Sequence, residues 1–175
     1  MRPPVKLLDI LQGKWLGHPL HPAIVHVPIG TWLLACGLDV AYWAGWTGAG
    51  PARLAFYAVV AGLLTALIAV PPGIADWVKI KKEKPAWKLG LYHMSLNLLA
   101  ALVWAVNCGL RLGTDDDLVT LPVLLTSVIG TVIILISGYL GSLMVFDHGI
   151  SVAGQSKKKW RKIAAQSGSR LPEQT

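Results

Sequence analysis

Between Gly17 and Gly30 the chain reads GHPLHPAIVHVPIG. Three of its five histidines, His18, His21 and His26, stand here, interleaved with Pro19, Pro22 and Pro28. Imidazole titrates near neutral pH and is the commonest protein metal ligand, so the chemistry on offer is metal or haem-iron ligation, or proton transfer. His18 and His21 each precede a proline, which disfavours the α region for the residue before it. An irregular chain through His21 is therefore predicted. Pro22 then fits the first turn of a helix, where its missing N–H costs nothing, and His26 falls about one turn inside. The remaining two histidines are His93 and His148.

The elements that must position these groups are apolar. Hydrophobic residues make up 54% of the 175, charged residues only 14%, and mean hydropathy is +0.54. Such a composition excludes an ordinary soluble domain and predicts an all-α polytopic membrane protein. Four segments are long enough to cross a bilayer, from near Pro22 to Trp46, Arg53 to Trp77, Lys88 to Leu112, and Val119 to Phe146. Trp43, Trp46, Trp77 and Trp87 stand at their ends, as an aromatic belt would. Short loops between them favour an antiparallel four-helix bundle. The resulting division is an N-terminal arm (1–16), a transmembrane domain (17–152) and a basic tail (153–175). No internal repeat is evident.

Charge sets the expected orientation. Arg2, Lys6 and Lys14 lie in the arm, Lys79, Lys81, Lys82, Lys84 and Lys88 around the second connection, and Lys157, Lys158, Lys159, Arg161 and Lys162 in the tail. The third connection carries Asp115, Asp116 and Asp117 beside Arg111. The positive-inside rule then puts both termini and the lysine loop in the cytoplasm. The formal net charge of +7 belongs to topology and anionic lipid, not to nucleic acid. The N-terminal stretch lacks the features of a cleaved signal peptide and is expected to be retained.

In this topology all five histidines converge on the cytoplasmic end of the bundle. His26 and His93 fall at matched depths, each roughly 6–8 Å inside its helix end at 1.5 Å per residue, as bis-histidine ligation of a b-type haem requires. Gly30, one turn after His26, would leave room for a porphyrin edge. Asn97, one turn after His93, could hold a hydrogen bond in the site. Gly138, Gly141 and Ser142 add small surface on the fourth span. His18, His21, His148 and Asp76 are expected as supporting groups or alternative ligands. Asp39 lies deep in the first span and needs protonation, pairing or water. Tyr42, Tyr57 or a neighbouring helix could supply the partner. Cys36 and Cys108, placed at different depths and outside any C-x-x-C motif, read as small buried residues.

Three readings stand side by side. The first is a haem b electron-transfer subunit. The second is a cofactor-free structural or assembly subunit of a respiratory or photosynthetic complex, since small residues in membrane helices serve close packing. The third is a copper or zinc site, which neutral imidazoles suit. Neither H-E-x-x-H nor G-x-S-x-G nor a phosphate-binding glycine loop is present, and an enzyme acting on its own is not expected.

Three blocks carry a resemblance to a known family: GHPLHPAIVHVPIG (17–30), LYHMSLNLLA (91–100) and SGYLGSLMVFDHGISV (137–152). The chain resembles the bacterial membrane proteins of the domain of unknown function 2231 family over nearly its whole membrane portion. The resemblance implies a four-helix membrane domain in the bacterial cytoplasmic membrane. Its conserved pattern falls on His18, Pro19, His21, Pro22, His26, Pro28, Asp76, His93, Asn97, His148 and Gly149. Some relatives resemble components joined to or encoded near Rieske-type or c-type cytochrome proteins, which implies a link to redox membranes; the haem reading adds a quinone or partner subunit and another redox protein as electron partners. Leu143, Met144 and Val145 depart from the family by being more apolar before the terminal His, with Asp147 taking the charge.

Overall fold

The computed structural model describes residues 7–115 and 117–150, with Gln166. Arg2, Lys6, Asp116 and the basic tail (153–175, Gln166 aside) lie outside the described residues. Six helices follow in order: α1 (Leu7–Leu11), α2 (Leu20–Ile24), α3 (His26–Trp43), α4 (Ala49–Trp77), α5 (Pro85–Leu112) and α6 (Leu121–Phe146). Among the described residues there is no strand. Counting α2 and α3 as one span, Leu20–Trp43, four helices among the described residues are long and apolar enough to cross a membrane.

The first span starts earlier than the prolines suggested, and it is broken. Helix α2 already includes His21 and Pro22. The break at Val25 sits between Pro22 and Pro28: Pro28 lacks the N–H that would bond Ile24 O, while Pro22 stands in the first turn of α2, where none is needed. Val25 N still donates to His21 O (3.1 Å) and Ile29 N to Val25 O (3.3 Å), so the two pieces stay nearly continuous. Pro85 and Pro122 open α5 and α6, where a proline costs no bond. Gly45 and Gly48 take positive φ (111° and 104°) in the turn from α3 to α4, a conformation that L side chains rarely adopt.

Helix α3 packs mainly on α4 and α5 mainly on α6, while α3 also meets α6 and α4 meets α5. Helices α3 and α5 therefore lie on one diagonal and reach each other through long side chains. The interfaces are lined with small residues, Ala35, Ala55, Ala58, Ala100, Ser127 and Ser137, all buried, as close packing in lipid favours. Leu64, Leu67, Leu98 and Leu102 point outward. In a membrane protein these surfaces contact lipid. At one end α1 docks on α4, with Gln12 Nε2 donating to Ala75 O at 2.7 Å.

The bundle is two copies of one helix pair. Arg111 stands 72 residues after Asp39 and pairs with it. The same spacing separates His21 from His93 and Trp32 from Trp104, and each pair meets across the centre. Both halves carry W-x-x-x-C-G-L, at Trp32 to Leu38 and Trp104 to Leu110. On the partner helices, Gly62, Ala69 and Gly73 of α4 correspond at one constant offset to Gly130, Ser137 and Gly141 of α6. Exchanging α3 with α5 and α4 with α6 preserves every major helix contact, which describes a two-fold axis running along the bundle. Cys36 and Cys108 are thus equivalent positions at matched depth, correcting the expectation of different depths. Both are free thiols.

Candidate functional site

His21 reaches sideways from α2 to α4. Its Nδ1 lies 2.9 Å from Ala69 O. A carbonyl oxygen can only accept, so Nδ1 carries the proton and Nε2 the lone pair. Pro71 and Pro72 leave the carbonyls of Leu67 and Ile68 without their helical donors, and His21 bonds the next carbonyl along. Gly73 leaves the space for the ring: a Cβ there would stand 2.8 Å from His21 Nδ1.

His93 repeats the arrangement on the other half. Its Nδ1 lies 2.8 Å from Ser137 O, and Ser137 Oγ donates to His93 O at 3.1 Å. A Cβ on Gly141 would come within 3.0 Å of His93 Cε1. Asn97 Nδ2 stands 3.0 Å from His93 Nε2, an acceptor once the proton is fixed on Nδ1. The two rings approach perpendicular to one another, with centroids 6.3 Å apart and planes at 89°.

The imidazole that faces His93 is therefore His21, where the sequence spacing favoured His26. Five residues along a helix turn the side chain by about 140° at 100° per residue, so His21 and His26 cannot share a face. His26, the first residue of α3, is exposed, and so are His18 and His148. Gly30 is exposed too, with open space where a Cβ would stand. Asn97 is where it was expected, bonded to His93. Asp76 is half-buried near the end of α4, and its charge acts on Lys79. Gly73, Ala69 and Ser137 escaped the sequence reading. The constant offset between the two halves is the signal that would have found them.

Below the histidines, Trp32 and Trp104 stack with centroids 5.5 Å apart and planes at 10°. Each ring fills the notch of a glycine: a Cβ on Gly62 would stand 2.2 Å from Trp32 Nε1, one on Gly130 2.7 Å from Trp104 Nε1. Trp32 Nε1 donates to Val59 O at 3.4 Å.

The far end of the axis holds a buried ion pair. Asp39 Oδ2 accepts from Arg111 Nη2 and from Ser127 Oγ, each at 2.5 Å. Arg111 Nε donates to Asn107 Oδ1 (2.9 Å), and Asn107 Nδ2 lies 2.9 Å from Val123 O, Thr126 Oγ1 and Ser127 Oγ. Arg111 belongs to the bundle interior, not to the third connection. The partner of Asp39 is this arginine and not Tyr42 or Tyr57.

Among the described residues no three or more His, Cys, Asp or Glu side chains gather as a metal-binding group. The donor set on offer is two imidazoles. That suits a centre that brings its own equatorial ligands, as a haem iron does, better than a tetrahedral zinc site.

No curated protein and no solved structure matches the chain. A family described as "Predicted membrane protein (DUF2231)" matches residues 17–154. That match takes in every helix of the bundle and all five histidines, so the chain belongs to the DUF2231 family of membrane proteins.

Proposed function

We propose that the protein is a b-type cytochrome-like electron-transfer subunit in which His21 and His93 would hold one haem. The observation that carries this reading is the paired geometry of the two rings. Each Nδ1–H is tied to a backbone carbonyl, which fixes the ring and puts the lone pair on Nε2, the usual support of a metal-bound histidine; on His93 the Asn97 amide holds that lone pair and would have to give way. The two rings stand 6.3 Å apart, centroid to centroid, close enough that both would serve one metal centre. A haem held there supplies one-electron chemistry. The chain's own residues hold the rings, keep their tautomer and exclude water. His26 remains at the entrance of the site and not within it.

Orientation follows from charge: the histidine end carries Lys79, Lys81, Lys82 and Lys84 and is assigned to the cytoplasmic side of a bacterial inner membrane. Quinone or a Rieske-type or cytochrome protein is the partner class this reading requires. A second reading, a cofactor-free subunit of a larger complex, is favoured by one contact. The amide of Asn97 already satisfies His93 Nε2, so the site is stable as a packing motif.

The two readings separate on variants. Haem supplied during expression should co-purify in equimolar amount, and be lost in His21→Ala and in His93→Ala. It should be kept in His26→Ala, His18→Ala and His148→Ala. Retention of haem in His21→Ala with loss in His26→Ala would overturn the assignment. Copper or zinc in equimolar amount without porphyrin would replace haem by a metal ion.

A further inference from the structure

The ion pair at the far end of the axis is not explained by packing alone. Asp39 is wholly buried, and while its Oδ2 accepts two bonds, its Oδ1 has no partner. Trp104 Nε1 and Thr131 Oγ1 are also buried without partners. These three atoms gather around one turn of α6. Ser127 on that turn bonds Asp39, Gly130 faces Trp104 Nε1, and Thr131 follows one turn after Ser127. Unsatisfied buried polar groups are rare and call for a specific cause, most often an ordered water. One of them is an oxygen of a buried carboxylate, and the other two belong to residues on or facing the next turn of α6.

A way in is present. A cavity of about 130 Å³ opens at this end of the bundle, lined by Ala52, Arg53, Tyr57, Arg111, Thr114 and Asp115. Arg111 lines it and also bonds Asp39, so one side chain separates the cavity from the cluster. At roughly 30 Å³ per water molecule, the space suits a short file of waters. Arg53, Tyr57, Arg111, Thr114 and Asp115 give it the polar partners that waters need, beside the apolar Phe56, Leu112 and Leu118. The symmetry sharpens the point. The indole N–H of Trp32 is satisfied by Val59 O. The equivalent indole, Trp104, has no such acceptor.

We propose that the Asp39–Arg111 cluster is a hydrated inlet: water entering beside Arg111 binds Asp39 Oδ1, Thr131 Oγ1 and Trp104 Nε1. The charged and titratable groups facing it are Arg111 of α5, Arg53 and Tyr57 of α4, and Asp115 after α5. Waters on Asp39 give an intramembrane carboxylate contact with the solvent on the side opposite the histidine pair. The inlet does not depend on whether the histidines hold a haem.

Indole N–H exchange reads this directly. The full chain, labelled with ¹⁵N-tryptophan in nanodiscs, is transferred to D₂O, and the Trp32 and Trp104 resonances are assigned through Trp32→Phe and Trp104→Phe. Trp104 should exchange roughly tenfold or more faster than Trp32, the ratio that an ordinary hydrogen bond supplies, although both rings are buried to the same degree. Thr114→Phe, which fills the cavity mouth without removing a cluster side chain, should bring Trp104 to the rate of Trp32. Equal protection of the two indoles in the unaltered chain would overturn the inlet. Unchanged fast exchange of Trp104 in Thr114→Phe would overturn the entry route beside Arg111.

Discussion

Asp39 and Arg111 occupy equivalent positions in the two halves of the bundle, and unlike His21–His93 and Trp32–Trp104, which match like with like, they place a carboxylate against a guanidinium at 2.5 Å. An ion pair of this kind at the two-fold axis tells the two halves apart. A symmetric pairing of either half with itself would set Asp against Asp or Arg against Arg, in a medium where an unpaired charge is costly.

Removing one partner should therefore cost far more than removing both. Asp39→Leu strands a buried guanidinium and is expected to cost about 3–5 kcal/mol. Asp39→Leu combined with Arg111→Met should recover most of that loss, because two apolar side chains replace the pair. The exchange Asp39→Arg with Arg111→Asp should be intermediate. The positions are equivalent, but Asn107 and Ser127 have Ala35 and Val59 as their counterparts, which cannot bond the exchanged groups. Thermal unfolding in detergent checks the order of the four proteins.

The glycines divide into two classes. Gly62→Ala and Gly130→Ala drive a methyl into the Trp32 and Trp104 rings, and each should destabilise by about 1–3 kcal/mol, the ordinary cost of overpacking. Gly30→Ala and Gly37→Ala meet nothing within 4 Å and should change stability by no more than about 0.5 kcal/mol. The same unfolding assay distinguishes them, and equal effects in both classes would contradict the packing described.

Gly73→Ala and Gly141→Ala act on the histidines themselves. An added methyl stands 2.8 Å from His21 Nδ1 or 3.0 Å from His93 Cε1, so each ring must swing off its carbonyl. Haem content should fall in both, and fall similarly, because the two seats are equivalent. Loss in one with none in the other would contradict the two-fold description of the site.

Asn97 offers an opposite sign. Its amide holds the lone pair of His93 Nε2 at 3.0 Å, and a metal must displace it. Asn97→Ala should leave haem content intact and tighten binding by about 1 kcal/mol, the net worth of one hydrogen bond. Haem titration of the purified apoprotein measures the change.

Much of the fold was legible in composition and charge, because apolar length, loop brevity and tryptophan placement all follow from the bilayer. The histidine end of the bundle was legible for the same reason. Which histidine faces inward was not, since it depends on a helix starting at Leu20, ahead of two prolines, and on the turn of about 140° between His21 and His26. The partner of Asp39 was hidden because Arg111 sits at a span boundary, where a basic residue ordinarily faces headgroups. The repeat was hidden by divergence: beyond W-x-x-x-C-G-L and the spaced glycines, its halves share apolar character more than identity. The two helix pairs also differ in offset, because their loops differ in length.

The central claim, one haem between His21 and His93, meets its most direct test in a dithionite-reduced minus oxidised visible spectrum of the full chain purified with haem precursor supplied. Six-coordinate b-type ligation predicts a sharp α-band near about 560 nm, present in His26→Ala and absent in His21→Ala. A flat spectrum from folded protein would contradict the claim.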